Sequence, residues 1–216
     1  MTKPVGREPV RRNARSNRAR ILSTARQELG RNPDVTLEEI ARAAGVVRRT
    51  LFGHFPGRAA LLEALTEEAS EVLREAVVRG TRPEEPADRA LAYFTFSMWP
   101  VGDRYRMLLG MARRDLGAER VAEVLSPARD AVTAVLERGQ RDGVFHTHLP
   151  APVLSAGLEA MTVALLEEVN TGALRDDGTR TAIAMLVAAG VPEKRASAVV
   201  DDVASGAVMD TAPDLD

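Results

Sequence analysis

Between residues 36 and 58 the chain gathers side chains suited to a polyanion. Arg48, Arg49 and Thr50 are consecutive, with His54 and Arg58 close behind. A guanidinium presents a planar fork of donors that fits phosphate oxygens and guanine edges, and a threonine can bond phosphate or touch a thymine methyl. Such groups can read bases only from a helix held rigidly against others. The flanking residues supply those supports. Thr36, Leu37, Glu38, Glu39 has the S/T-x-x-E spacing of a capping box, and Leu37, Ile40, Ala41 and Ala44 form the apolar face of a two-turn helix. Gly45 ends that helix; as a small residue it is expected to let two helices cross closely. Val46 and Val47 lead into a short helix from Arg48 to about Gly53, followed by a turn at His54-Phe55-Pro56-Gly57. Ile40, Ala41, Val46 and Leu51 are spaced to lock the two helices together, which turns Arg48, Arg49 and Thr50 outward in a helix-turn-helix arrangement. The Thr36 hydroxyl, at a helix N-terminus, is expected to meet a phosphate.

The elements around this cluster follow from composition and periodicity. Residues 1–60 carry a charge balance of +8 and residues 61–216 one of −10, although the whole chain is only −2. A basic front end on an acidic body predicts that the front meets nucleic acid and the body does not. Residues 1–15 are polar and unpatterned, a flexible basic arm in which Arg11, Arg12 and Arg15 are candidate phosphate contacts. Asn17 is the expected cap of a first helix whose inner face is Ile21, Leu22, Ala25 and Leu29, ended by Gly30 and the Asn32-Pro33-Asp34 turn. A long amphipathic helix is expected at 58–80, then helices at 87–99, 102–116, 118–125, 127–142, 151–171 and 179–189, and a last one near 193–204. Strand signals are almost missing, so the fold class is all-α. The expected domains are a helix-turn-helix unit at 16–57 and a helical body at 58–205, with a disordered tail from 206.

Residues 17–62, and above all the run from Ile40 to Arg58, resemble the DNA-binding domain of the TetR family of transcriptional repressors. The specific signature is Thr50-Leu51-Phe52-x-His54-Phe55 followed by a basic residue. The resemblance implies that Val47, Phe52, His54 and Arg58 join Arg48, Arg49 and Thr50 at DNA. It also implies a homodimer, a ligand cavity in the body, and release from the operator when a small molecule binds. Three residues depart from the family pattern. Val47 replaces a Ser or Thr that would cap the third helix and bond phosphate, Phe52 replaces a Tyr and loses its hydroxyl, and Gly53 has no side chain.

In the body, five of the eight aromatic residues lie between 93 and 105. Phe94, Phe96, Met98, Trp99, Tyr105, Met107 and Met111 are candidates to line an apolar effector cavity, where rings and adaptable methionines suit a hydrophobic ligand. The alternative is that they are simply core. Leu154, Leu158, Met161 and Leu165 on one helix, with Ile183 and Leu186 on the next, are candidates for a dimer interface of the four-helix kind that the resemblance implies. A two-fold dimer would set two recognition helices ~34–36 Å apart and require a near-palindromic operator.

Other chemistries are excluded or weakly supported. Cysteine is absent, so disulfides, thiolate metal sites and cysteine nucleophiles are ruled out. His146-Thr147-His148 has no partnered cluster and reads as a surface turn rather than a metal site. No phosphate-binding loop, nucleophile elbow or dinucleotide fingerprint occurs, so no enzyme, cofactor or metal is expected. Apolar runs stay below the ~18 residues of a membrane span, and no apolar stretch follows the charged N-terminus; a cytoplasmic protein is expected. Two readings remain: a ligand-released, dimeric DNA-binding repressor, or a ligand- or protein-binding helical module whose degenerate front end no longer reads DNA.

Overall fold

The computed structural model describes residues 8–210, with side chains from 16 to 206. Within that span the chain is helical throughout: α1 (Glu8–Arg31), α2 (Leu37–Ala43), α3 (Arg48–His54), α4 (Arg58–Gly80), α5 (Ala87–Asp115), α6 (Ala118–Arg141), α7 (Ala151–Thr171), α8 (Thr179–Ala188) and α9 (Glu193–Asp210). Two compact units emerge. The first takes residues 1–68 and 107–121; the second takes 69–106 and 122–216. The first unit thus includes the last turns of α5 and the start of α6 as well as the expected front end.

In the first unit, α1, α2 and α3 pack on one another. Ile21, Leu22, Ala25 and Leu29 of α1 are buried as their spacing predicts, along with Ile40, Ala41, Leu51, Phe55, Leu61, Leu62 and Leu65. The helix starts earlier than expected. α1 begins at Glu8, so residues 8–15 extend it instead of forming an unpatterned arm; their side chains, with those of Arg11, Arg12 and Arg15, lie outside the described residues. Asn17 therefore sits inside α1, where its Oδ1 accepts from Arg20 at 2.9 Å rather than capping the chain. Gly45 also acts differently from expectation. A Cβ there would meet nothing within 4 Å, so close approach is not the constraint. Its φ of 63° is, because that left-handed conformation costs an L-residue ~1–2 kcal/mol.

The second unit is built around Leu91, Phe94, Leu136, Leu158, Leu186 and Val200, all buried in one apolar cluster. Two expected boundaries vanish here. α5 runs unbroken through Pro100, and α6 through Pro127. A proline removes one backbone donor and frees the carbonyl four residues back. At Pro127 that carbonyl belongs to Glu123, and the Ser126 hydroxyl donates to it at 2.9 Å, which lets the helix continue. At Pro100 the burial of Phe94, Trp99, Val101 and Tyr105 on both sides of the proline holds α5 together. The segment after Pro192 joins this core through Ala196, Val200 and Val203. It is further fixed by Arg195, whose Nε and guanidinium nitrogen donate to Asp88 Oδ2 of α5 at 2.9 and 2.6 Å. α9 continues to Asp210, past the expected tail boundary, and residues 211–216 lie outside the described residues. No described helix is long and apolar enough to cross a membrane.

Candidate nucleic-acid interface

Two seven-residue helices form the centre of the candidate site, and neither is long enough to persist alone. α2 is anchored by the expected capping box. Thr36 Oγ1 accepts from the Glu39 amide at 3.2 Å, and the Glu39 carboxylate accepts from the Thr36 amide at 2.8 Å. The Thr36 hydroxyl also donates to that carboxylate at 2.7 Å. Its proton is therefore committed, and the negative charge a phosphate would have brought to this helix end comes from Glu38 and Glu39. The expected phosphate site at Thr36 is filled from within the chain. The Glu39 carboxyl is held below its ordinary range, first by the Thr36 amide and then by the Thr36 hydroxyl.

α3 divides cleanly between two faces. Leu51 is buried, as is Phe55 at its C-cap, and these fix the helix against its neighbours. Arg18 of α1 lies over the Phe55 ring, 5.4 Å from its centroid, and His54 is tilted against the same ring at 6.2 Å. Val47, Arg48 and Arg49 are exposed, while Thr50, Phe52 and His54 are half-buried. Val47 stands at the N-cap with no side-chain cap bond; only its carbonyl serves the helix, accepting from the Thr50 amide at 2.9 Å. Arg48 is drawn towards α2 by a 3.0 Å ion pair with Glu38, and its guanidinium lies 5.1 Å from the Phe52 ring centroid. Glu38 escapes a sequence reading because ten residues and a turn separate it from Arg48, and no local spacing links them. Phe52, without the family hydroxyl, supplies a flat surface under that guanidinium instead.

Arg58 faces inward. Its guanidinium donates to the Val35 carbonyl at 3.1 Å and to the Pro33 carbonyl, lies 3.7 Å from Met111 Sδ, and places Nε 3.7 Å from Asp115. One side chain thereby ties the α1–α2 turn to the last turns of α5. Its donors are committed to holding the first unit, which leaves little for the DNA contact expected of it.

The residues expected to line an effector cavity are distributed over both units. Met107 and Met111 belong to the first unit, and Phe94, Phe96, Met98, Trp99 and Tyr105 to the second. Phe94 is buried in the central cluster, with Phe96 and Met98 half-buried against it. Tyr105 is buried on α5. The Trp99 indole donates to the Asp176 carbonyl at 3.2 Å, strapping the turn before α8 to α5. Asp176 in turn uses its carboxylate to accept the free amides of Gly178, Arg180 and Thr181.

Of the expected dimer residues, Leu154, Leu158 and Leu186 are buried in the unit's own core. Met161, Leu165 and Ile183 remain half-buried. The exposed apolar face of α7 is instead Val153, Ala156, Gly157, Ala160 and Ala164, with Val187 exposed on α8. Their three- and four-residue spacing places them on one side of the helix. His146 sits at the turn before α7, its ring nitrogen 3.0 Å from the Ala188 carbonyl and its ring stacked on His148.

Known proteins fit this geometry. Residues 21–65 match the model of the bacterial regulatory proteins of the tetR family. The HTH-type transcriptional repressor LfrR of Mycolicibacterium smegmatis is 32% identical over 124 residues, covering 53% of this chain and 65% of the repressor, so the chain spans just under two thirds of that relative's length. Among solved structures, CprB from S. coelicolor A3(2), a TetR family protein, superposes with a TM-score of 0.68 at 20% identity, covering 89% of this chain and 98% of CprB. The fatty acid degradation regulator FadR from Bacillus halodurans gives 0.63 at 16% identity, covering 81% of this chain and 99% of its own. At those identities the structures speak for the fold alone. With a helix-turn-helix head of matching sequence and an all-helical body of matching fold, this chain is similar to the TetR family of transcriptional regulators in both parts.

Proposed function

We propose that the protein is a dimeric repressor that binds a near-palindromic operator and leaves it when a small, largely apolar effector occupies the body. The observation that carries the reading is the split of α3, with Leu51 and Phe55 locked inward and Arg48 and Arg49 exposed on the opposite face. A recognition helix needs that division, since the face that enters the major groove must be polar and held rigidly from behind. The charge balance of +8 in residues 1–60 supplies the attraction to phosphate. The exposed small-residue face of α7 with Val187 of α8 suits close pairing with a second copy about a two-fold axis. That the relative LfrR is a transcriptional repressor supports repression over activation.

The test is selection of bound duplexes from a random pool, followed by titration of the Arg48→Ala, Arg49→Ala double variant on the recovered site. We expect enrichment of a two-fold sequence and a loss of affinity of roughly tenfold to a hundredfold in the variant, with a shallower salt dependence. Unchanged binding by the double variant would remove α3 as the recognition helix. A competing reading, a helical module whose head no longer reads DNA, draws on the missing side-chain cap at Val47. It wins if no sequence is enriched at low salt.

A further inference from the structure

We infer that Val47 reads the 5-methyl group of a thymine in each operator half-site, an inference that rests on the DNA-binding reading above. Val47 is 69% exposed, an apolar, branched side chain at the leading end of α3 between the turn and two arginines. Its backbone, at φ −73° and ψ 150°, is extended rather than helical, so the side chain projects ahead of the first turn of α3. It has no polar atom with which to cap the helix or bond a phosphate. Leaving such a side chain in water gives up the free energy of burial, which returns only when apolar surface covers it.

The surroundings decide what that cover is. Arg48 and Arg49 are adjacent and exposed, and residues 1–60 carry the +8 balance, so this end of the helix draws a polyanion rather than an apolar protein surface. The N-terminal residues of a recognition helix are the ones that reach base edges, and the apolar group displayed on those edges in the major groove is the thymine methyl. The Glu38 ion pair draws Arg48 back towards α2, over the Phe52 ring. Val47 is the exposed apolar side chain at this leading end, beside two exposed arginines.

Replacing each thymine of the selected operator by deoxyuridine, one position per half-site at a time, removes the methyl and preserves pairing. We expect one thymine per half-site at which the exchange weakens wild-type binding about fourfold, and roughly fifteenfold when both half-sites are changed, the effect of exposing one methyl group in each. Val47→Ala should bind the thymine operator more weakly by a similar factor and be indifferent to deoxyuridine at that position. Val47→Ser, which restores a cap to α3, should be equally indifferent, so a folding defect cannot mimic the result. If wild type tolerates deoxyuridine at every thymine, or Val47→Ala remains as sensitive as wild type, Val47 does not read a methyl even though the protein binds its operator. If no duplex is bound at all, both this inference and the repressor reading are overturned.

Discussion

The two units reach order by different means. The second holds its long helices around one apolar cluster and admits charge to the interior sparingly; Asp88, 1% exposed, is the buried carboxylate, and Arg195 meets it from the surface. The first unit contains two helices too short to stand alone and braces them with polar devices: the Thr36–Glu39 box, the Arg58 bonds to loop carbonyls, and Arg120 of α6 paired with Glu63 and Glu67 of α4. A surface proposed to face DNA cannot be covered by its own protein. Its supports therefore come from behind and from the ends, and many of them are charged. The body has no such constraint and uses burial.

This contrast can be broken at four points. Arg195→Ala should have the largest effect, because it leaves the Asp88 carboxylate buried with the Arg89 amide as its remaining named donor; we expect a loss of about 2–4 kcal/mol, read by denaturant unfolding. Asp88→Asn leaves only a well-solvated arginine unpaired and should cost less than half as much, and equal costs would mean that the pair is not the buried anchor described. Arg58→Ala follows at about 2 kcal/mol, since two loop carbonyls lose their donor. Hydrogen exchange should show the lost protection in the α1–α2 turn and the last turns of α5, and protection lost first in α7 to α9 would contradict that placement. Gly45→Ala should cost about 1–2 kcal/mol through the left-handed backbone alone. Because the space beside Gly45 is open, Gly45→Asn should recover part of that loss, and larger losses with size would restore the crowding explanation.

The smallest effect belongs to Glu39. Its carboxyl titrates below the ordinary glutamate range in the folded chain, so its stabilising contribution is present in full above that range and disappears as pH falls through the folded value. Glu39→Gln should lower stability slightly at neutral pH, where the carboxylate's contribution is present in full, and converge with wild type in acid, flattening the limb below about pH 4.5. An unaltered acid limb would separate the cap from the pH dependence.

Much of the head was legible because its signals are local. The capping box spans four residues, the inner face of α1 repeats every three or four, and the buried Leu51 and Phe55 fall at the positions that the family signature gives them. What escaped was set by residues far apart in the chain. The turn of Arg58 towards Pro33, Val35 and Asp115 joins positions up to 57 residues away, and the capture of Arg48 by Glu38 crosses between helices. The body is less legible for a related reason. Leu154, Leu158 and Leu186 are apolar and correctly spaced for an interface, but spacing names a face without saying whether the chain itself or a second copy covers it. Pro100 and Pro127 look like boundaries locally, yet burial on both sides and one serine hydroxyl carry the helices through them.

The chain's pattern alone determined the all-helical class, the helix-turn-helix head and its positive charge, since periodicity, caps and charge act over a few residues and are written in order. Only the folded chain decided which apolar side chains are spent on its own core, that Arg58 braces the first unit, and that Val47 stands uncovered at the front of α3. Those outcomes depend on which distant surfaces meet, and burial, unlike helix formation, is a property of the partner as much as of the residue.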